Sequence, residues 1–163
     1  MKKLPESKIF RANDLLVLRN KWKEEQHKVV FTNGCFDIIH LGHIDYLSKA
    51  SSLGDKLIVA VNSDESVRLL KGDNRPIQDE ICRLIIMASF YFVDAVVLFS
   101  EETPFNIINL LKPDILVKGG DYKADSIVGA DIVKGYGGKV EIIPFLEGYS
   151  TSAIENKIVS FNK

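Results

Sequence analysis

Short apolar runs alternate with helix-like segments along this chain, and that alternation limits its fold more than any other feature. The apolar runs are mostly continuous, which is typical of parallel strands covered on both faces. They lie at 28–32, 56–61, 95–99, 114–117 and 139–143, with helix-like segments at 12–25, 41–53, 64–70, 79–92, 104–111, 127–136 and 151–161. The pattern predicts an α/β fold class, with a doubly wound parallel sheet of five strands.

The length of the chain agrees with one domain. Its 163 residues can bury a sizeable core, and the sequence contains no internal repeat, low-complexity tract or linker. We expect residues 28–163 to form the core of a single domain and residues 1–27 to add a helical extension at the N-terminus.

Composition excludes several classes of partner. The net charge is −1, so the chain does not have the excess of basic residues typical of proteins that bind nucleic acid or membrane surfaces. Its longest apolar stretch, 84–99, is interrupted by Asp94 and is too short to span a membrane. Cys35 and Cys82 lack the spacing of a disulfide framework or a zinc site. No apolar segment follows the charged N-terminus, so we expect a cytoplasmic protein with reduced thiols.

The segment 32–43, TNGCFDIIHLGH, joins the first predicted strand to the helix that follows it. Backbone amides at a helix start are unpaired and carry partial positive charge, so they can hold phosphate. His40 and His43 lie three residues apart on one face, and Gly42 leaves room for a ligand beside the backbone. The spacing predicts a phosphate site, although a metal-binding pair or polar residues without a role would also fit it.

Other polar segments follow the predicted strands. The first strand ends at Asn33, the second at Asn62 and the fourth at Val117. Ligands of doubly wound sheets bind outside the carboxyl ends of the strands, near the point where the strand order reverses. We therefore expect these loops to converge on one crevice.

The segment 32–37 followed by His40-Leu41-Gly42-His43 resembles the signature of the cytidylyltransferase-like nucleotidyltransferases. Later segments match that superfamily in the same order, and the resemblance extends over residues 28–158. The family has a phosphate-contacting lysine in a mobile loop, at Lys71 here, and an arginine in the next helix, at Arg83. Residues 148–154 are similar to its Gly-x-Ser-Thr signature at the start of the last helix. The resemblance implies a Rossmann-like fold and nucleotidyl transfer.

The same resemblance implies roles for individual side chains. The expected catalytic residues are His40, His43 and Lys71. The acceptor substrate is expected to contact Asp121, Tyr122 and Arg75. The residues expected to bind the nucleotide are Asn33, Gly34, Cys35, Phe36, Asp37, Gly42, Arg83, Lys118, Gly119, Ser150, Thr151 and Ser152.

Ordinary structural roles would also explain some of these residues. Lys71 and Arg83 fit solvated surface charges, and Ser152 with Glu155 fits a capping box. Asp37 is the candidate protein ligand for Mg²⁺, which we expect to be held mainly by oxygens of the substrate.

Within the superfamily, the chain most resembles the ADP-heptose synthase adenylyltransferases of bacterial lipopolysaccharide assembly. The likeness lies in segments 30–37, 58–64, 70–76 and 113–122. It implies transfer of AMP from ATP, with Mg²⁺, to D-glycero-β-D-manno-heptose 1-phosphate, which gives ADP-heptose and pyrophosphate. Many relatives carry a ribokinase-type sugar kinase before this domain. Residues 1–27 are too few for one, so we expect a separate kinase to supply the sugar 1-phosphate.

Two alternative functions stay open. A cytidylyltransferase acting on glycerol 3-phosphate or another polyol phosphate is the first, although such enzymes typically have an arginine where this chain has residues 144–147. A catalytically silent nucleotide-binding module is the second, and the presence of His40, His43, Lys71 and Arg83 argues against it.

The segment 84–92 is apolar on nearly all sides, more than packing on one face of a sheet requires. A fully buried helix would explain this pattern, and so would an interface between two copies of the chain. Because relatives are commonly dimers, we expect a homodimer.

Overall fold

A parallel sheet of six strands forms the centre of the part of the chain that the computed structural model describes, residues 4–120 and 126–161. The strand order is β1-β4-β3-β2-β5-β6, and each neighbouring pair is parallel. The strands are β1 (Ile9–Phe10), β2 (Val29–Gly34), β3 (Lys56–Asn62), β4 (Ala95–Phe99), β5 (Ile115–Gly119) and β6 (Lys139–Ile143).

Helices connect these strands and cover the sheet. In the described ranges they are α1 (Ala12–Glu24), α2 (Leu41–Ser51), α3 (Asp64–Lys71), α4 (Glu80–Ser89), α5 (Phe105–Leu111), α6 (Ala130–Gly135) and α7 (Thr151–Ser160). A 3₁₀ turn, Pro5–Lys8, precedes β1. Among residues 4–120 and 126–161, no helix combines the length and the apolar composition that crossing a membrane requires.

Two hydrophobic clusters lie on opposite faces of the sheet. Val29 and Phe31 of β2 join residues of α1, α5 and α6 in one cluster, while Val30, between them, joins residues of α2 and α4 in the other. Successive residues of a strand point to opposite faces, so a strand covered on both sides needs a continuous apolar run. The α/β, doubly wound parallel fold predicted from the sequence is confirmed.

The number of strands differs from the prediction by one. β1 is an edge strand of two residues, too short to give a hydrophobic pattern, and it pairs with β4 through Ile9 and Val96. The segment before β2, expected to be a helical extension, thus adds a strand to the sheet. Its helix α1 also packs on the sheet through Leu15 and Trp22, which are buried in the core.

The strand order reverses between β2 and β5. From β2 the chain moves outward to β3 and β4, and it then returns to place β5 and β6 on the other side of β2. The loops that leave the carboxyl ends of β2 and β5 diverge there, which opens a crevice at this edge of the sheet. The topology therefore explains why the loops at the carboxyl ends of the strands surround one crevice, as predicted from the sequence.

Candidate active site

The two predicted histidines stand side by side at the start of α2. His40 is the residue before the helix, with an extended backbone, and its carbonyl accepts a hydrogen bond from the His43 amide at 2.9 Å. The centroids of the two imidazole rings are 3.9 Å apart, and the ring planes are inclined by 36°. The i,i+3 spacing thus places two adjacent rings beside the positive end of a helix.

Close packing fixes these rings from two sides. The buried Phe36 ring makes a T-shaped contact with His43, with centroids 5.7 Å apart, and Phe36 itself has a left-handed backbone with φ of 49°. A Cβ atom at Gly42 would lie 3.0 Å from the His40 ring and 3.3 Å from the carbonyl oxygen of Tyr149. Gly42 therefore lets the segment before α7 approach the start of α2.

Both imidazoles are neutral at pH 7. Burial, together with the smaller effects of the nearby His40 and Lys71, lowers the pKa of His43 to about 4. Burial also lowers the pKa of His40. Within the described residues, the buried Nδ1 atoms of both rings have no hydrogen-bond partner. A neutral imidazole has one N–H donor, so each ring can donate a hydrogen bond to a phosphate oxygen.

Two lysines contribute positive charge to the same crevice. Lys71, the last residue of α3, lines it, and Lys118 of β5 donates a hydrogen bond to Asn33 Oδ1 at 3.2 Å. Burial lowers the pKa of Lys118 and raises the pKa of the Cys35 thiol, which also lines the crevice. Cys35 is therefore a neutral thiol at pH 7, and the lysines are the cationic groups of this wall.

The start of α7 forms another wall. Ser150 caps this helix, since its hydroxyl accepts a hydrogen bond from the Ala153 amide at 3.1 Å. Thr151 lines the crevice, whereas Ser152 is exposed and does not line it. The predicted capping box of Ser152 and Glu155 is wrong, because the helix begins two residues earlier than that motif requires.

Asp37 lines the crevice, but its carboxylate is occupied by hydrogen bonds to the loop between α3 and α4. Its oxygens accept hydrogen bonds from the Ile77 and Gln78 amides, at 2.9 and 2.8 Å, and from Arg75 Nη1 at 2.7 Å. Burial alone would raise the pKa of the Asp37 carboxyl, but these bonds outweigh burial and hold the pKa below its usual value. Arg75 also pairs with Glu155 of α7, so its guanidinium is engaged at both ends.

Arg83 lies beneath the crevice. It is fully buried, and it donates to the carbonyl oxygens of Gln78 and Cys35, at 3.0 and 2.7 Å, and to Asp64 Oδ1 at 2.7 Å. It thus braces the loop after β2 from below. A direct contact between Arg83 and nucleotide phosphates stays a prediction, and this arrangement favours an indirect role.

The crevice has a volume of about 560 Å³, and a smaller cavity of about 270 Å³ adjoins it between the starts of α2 and α7. His43, Tyr46, Phe145 and Thr151 line both. The structure brings together around the two cavities the predicted residues Asn33, Gly34, Cys35, Phe36, Asp37, His40, Gly42, His43, Lys71, Lys118, Gly119, Ser150 and Thr151. Asp121 and Tyr122, predicted to contact the acceptor, lie outside the described residues.

Several lining residues were not predicted from the sequence. Tyr46 is buried and bonds Thr32 and the carbonyl oxygen of Val117, at 2.6 and 3.2 Å, so it ties β2 to β5 where the strand order reverses. In the sequence it is an ordinary apolar position of α2. The other unpredicted lining residues are Asn62, Leu70, Glu102, Thr103, Pro104, Ser126, Ile127, Val128, Phe145 and Tyr149. Asn62 is the last residue of β3 and Thr103 lies in the loop after β4, and this position at a strand end was the sequence signal that could have identified them.

A doubly wound sheet with imidazoles, lysines and two helix starts at its switch point is an arrangement suited to phosphorylated ligands. Residues 31–157 match the family model described as cytidylyltransferase-like, and the chain belongs to that family. It is therefore a nucleotidyltransferase, as the sequence motifs predict.

Relatives and solved structures agree with this membership. The bifunctional protein HldE of Campylobacter jejuni subsp. doylei is 57% identical over 153 residues, which are 94% of this chain and 32% of that protein. The chain thus spans about a third of the length of such relatives. A lipopolysaccharide core biosynthesis protein of Thermoplasma volcanium is 31% identical, with a TM-score of 0.58 over 76% of this chain and 99% of that structure.

The pantoate-beta-alanine ligase of Francisella tularensis shares the fold with a TM-score of 0.61, over 95% of this chain and 79% of the ligase chain. It is 18% identical, so it shows the fold alone.

Proposed function

We propose that this chain is an adenylyltransferase that transfers AMP from ATP to D-glycero-β-D-manno-heptose 1-phosphate. The products are ADP-heptose, for the synthesis of lipopolysaccharide core precursors, and pyrophosphate. The observation that carries the proposal is the pair of neutral, adjacent imidazoles of His40 and His43 between two helix starts at the switch point of the sheet. Such an arrangement suits in-line displacement at a phosphorus atom, which needs positioning and stabilisation of charge more than a protein nucleophile.

In the proposed mechanism, an oxygen of the sugar phosphate attacks the α-phosphorus of ATP, and the bond to the pyrophosphate oxygen breaks. His40 and His43 donate hydrogen bonds to the phosphate oxygens, and Lys71 stabilises the charge that develops on the leaving pyrophosphate. Lys118 and the amides at the start of α7 hold the remaining phosphate oxygens. Each ring is neutral in the free protein and offers one N–H donor for a phosphate oxygen.

We propose that ATP binds together with Mg²⁺, which neutralises phosphate charge when it is bound. Asp37 does not fit the role of its protein ligand in this arrangement. The carboxylate oxygens of Asp37 already accept bonds from Arg75 and from the Ile77 and Gln78 amides. Mg²⁺ usually keeps several waters and takes phosphate oxygens of the substrate as ligands, which needs no cage of protein carboxylates.

The choice of acceptor is supported by the resemblance of segments 30–37, 58–64, 70–76 and 113–122 to ADP-heptose synthases. The name of the Thermoplasma relative, a lipopolysaccharide core biosynthesis protein, is in keeping with this choice. We further propose that the 163 residues act as one domain and that the sugar 1-phosphate is the product of a sugar kinase. The reaction would take place in the cytoplasm.

A homodimer is also proposed. In the apolar segment 84–92, Leu84, Met87 and Ala88 are buried, whereas Tyr91 is 90% exposed. Ile81, near the start of α4, is exposed as well. Exposed apolar side chains of this kind are suited to an interface between copies. The mass in solution tests this proposal, and a monomer at micromolar concentration would overturn it.

Pyrophosphate release tests the reaction. ATP and CTP are each offered with heptose 1-phosphate, glycerol 3-phosphate and a panel of other sugar phosphates. We expect release with ATP and the heptose 1-phosphate. A preference for CTP with glycerol 3-phosphate would establish the alternative cytidylyltransferase. Calorimetric binding of nucleotide without release from any acceptor would indicate a catalytically silent module.

A further inference from the structure

Arg75 joins three segments that are distant in the sequence. Its Nη1 donates to Asp37 Oδ2 at 2.7 Å, in the loop after β2, and its Nη2 donates to Glu155 Oε1 on α7. The Arg75 side chain is only 15% exposed. The bond between Arg75 and Asp37 is shielded from water and is therefore stronger than an exposed ion pair, whereas the Glu155 carboxylate at the other end of the bridge is 36% exposed.

One end of the bridge is rigid. The Asp37 carboxylate is held by the Ile77 and Gln78 amides, and the side-chain amide of Gln78 donates to the Asp37 carbonyl oxygen. Arg83 in turn binds the Gln78 carbonyl oxygen from within the core. Arg75 therefore extends from a fixed platform on the body of the protein.

The other end holds a helix with little packing of its own. Helix α7 has ten residues and none of them is buried. Helices of that length are marginal in water, so α7 depends on its contacts with the body of the protein. Among the ion pairs of the described residues, the pair between Arg75 and Glu155 is the one that joins α7 to another segment.

The start of α7 is also part of the candidate active site. Ser150 and Thr151 line the smaller cavity beside His40 and His43. The Tyr149 carbonyl lies so close to Gly42 that the two helix starts touch. A small displacement of α7 would therefore change the surroundings of the phosphate groups.

We propose that Arg75 is a positioning residue that clamps α7 through Glu155, and so sets the nucleotide-binding wall against the start of α2. The acceptor contact predicted for Arg75 from the sequence stays a prediction. The inference rests on the proposed function for the identity of the ligand, ATP. Where α7 is docked in only a fraction of molecules, the apparent affinity for ATP is the affinity of the docked state multiplied by that fraction.

Two variants of the whole chain test the clamp. Glu155→Ala removes one end of the bridge and leaves the pair between Arg75 and Asp37 in place, and Glu155→Gln removes only the charge. Glu141→Gln, at an exposed position of β6, is the matched control for loss of one negative charge. The first measurement is amide hydrogen exchange of residues 151–160 without nucleotide. We expect faster exchange in both Glu155 variants and no change in the control.

The second measurement is the kinetics of pyrophosphate release. We expect the KM for ATP to rise about tenfold in Glu155→Ala, as for loss of one charge-assisted bond, with a smaller change in kcat. Unchanged exchange in α7 would overturn the clamp, and faster exchange with an unchanged KM would overturn its positioning role. Failure of the wild-type chain to release pyrophosphate would instead contradict the proposed function, while the exchange experiment would still decide whether the clamp exists.

Discussion

Helices α2 and α7 both begin at the candidate active site, but they are attached to the protein in different ways. α2 buries Gly42, Tyr46, Leu47 and Ala50 in or beside the core, whereas α7, of nearly the same length, buries no residue. The imidazoles thus belong to a helix fixed by apolar packing. The hydroxyls of the opposite wall belong to a helix fixed by Arg75.

The different attachment of α2 and α7 matches two different requirements of the proposed reaction. Groups that stabilise the transition state must be preorganised, because their contribution depends on positions that do not adjust during the reaction. A wall that admits the nucleotide and releases pyrophosphate benefits from local opening, and weakly packed segments open at low free-energy cost. We therefore expect changes in α2 to affect turnover or global stability, and changes in α7 to affect nucleotide affinity.

The largest effect is expected from His43→Ala. Removal of one preorganised hydrogen-bond donor lowers kcat by roughly 10²–10³. Steady-state pyrophosphate release measures the loss, and circular dichroism shows whether the variant folds. Since the Nδ1 atom of His43 has no partner within the described residues, the substitution breaks no described hydrogen bond of that atom. Near-normal turnover in a folded variant would contradict the catalytic role.

A pair of truncations compares the attachment of the two helices directly. Leu47→Ala, at a fully buried position of α2, should lower the free energy of unfolding by about 2–5 kcal/mol. Val159→Ala, at a position of α7 that is 57% exposed, should change it by less than about 0.5 kcal/mol. Urea denaturation measures both. Equal losses would show that α7 is packed as firmly as α2.

The same contrast explains which features the sequence could predict. Continuous apolar runs arise because β2 to β5 are covered on both faces, so the fold class follows from local pattern. The His40–His43 site follows too, since a strand, a loop and a helix start that are adjacent in the chain form it. Tyr46 lies on the same helix, but its bonds to Thr32 and Val117 depend on strand order, which no local pattern contains.

The bonds between distant segments could not be predicted from the sequence, for a related reason. Arg75 and Glu155 are 80 residues apart, and each fits an ordinary local role, in a loop and in a capping box. Arg83 has the pattern of a surface charge, and only the tertiary structure shows that it is buried with three acceptors around it. Pairings of this kind depend on the packing of distant segments.

Removal of the α7 cap should have a moderate and local effect. Ser150→Ala removes the acceptor for the Ala153 amide, a change that costs about 1 kcal/mol of helix stability. Because α7 buries no residue, we expect faster hydrogen exchange in residues 151–160 and weaker ATP binding, with little change in the melting temperature. Ser160→Ala, at the other end of α7, is the matched control. A lowered melting temperature would mean that α7 unfolds together with the core.

The smallest effect is expected in the protons exchanged on binding. The pKa of His43 is about 4 in the free protein, and a neighbouring phosphate stabilises the imidazolium and raises that pKa. At a pH between the pKa of His43 in the free protein and its higher pKa in the complex, His43 is protonated in more molecules of the complex than of the free protein. ATP binding should therefore take up a fraction of a proton at pH values just above the free pKa of about 4, and affinity should fall as pH rises through the pKa of the complex.

Calorimetry in buffers of different ionisation enthalpy, with Mg²⁺ in excess, measures this uptake. His43→Asn keeps a polar side chain that does not titrate, so its signal contains only the contributions of ATP and of His40. The difference between the two proteins is assigned to His43. A difference of zero would show that the ring of His43 does not contact the phosphates of bound ATP. That result would contradict the catalytic role given to α2 in its comparison with α7.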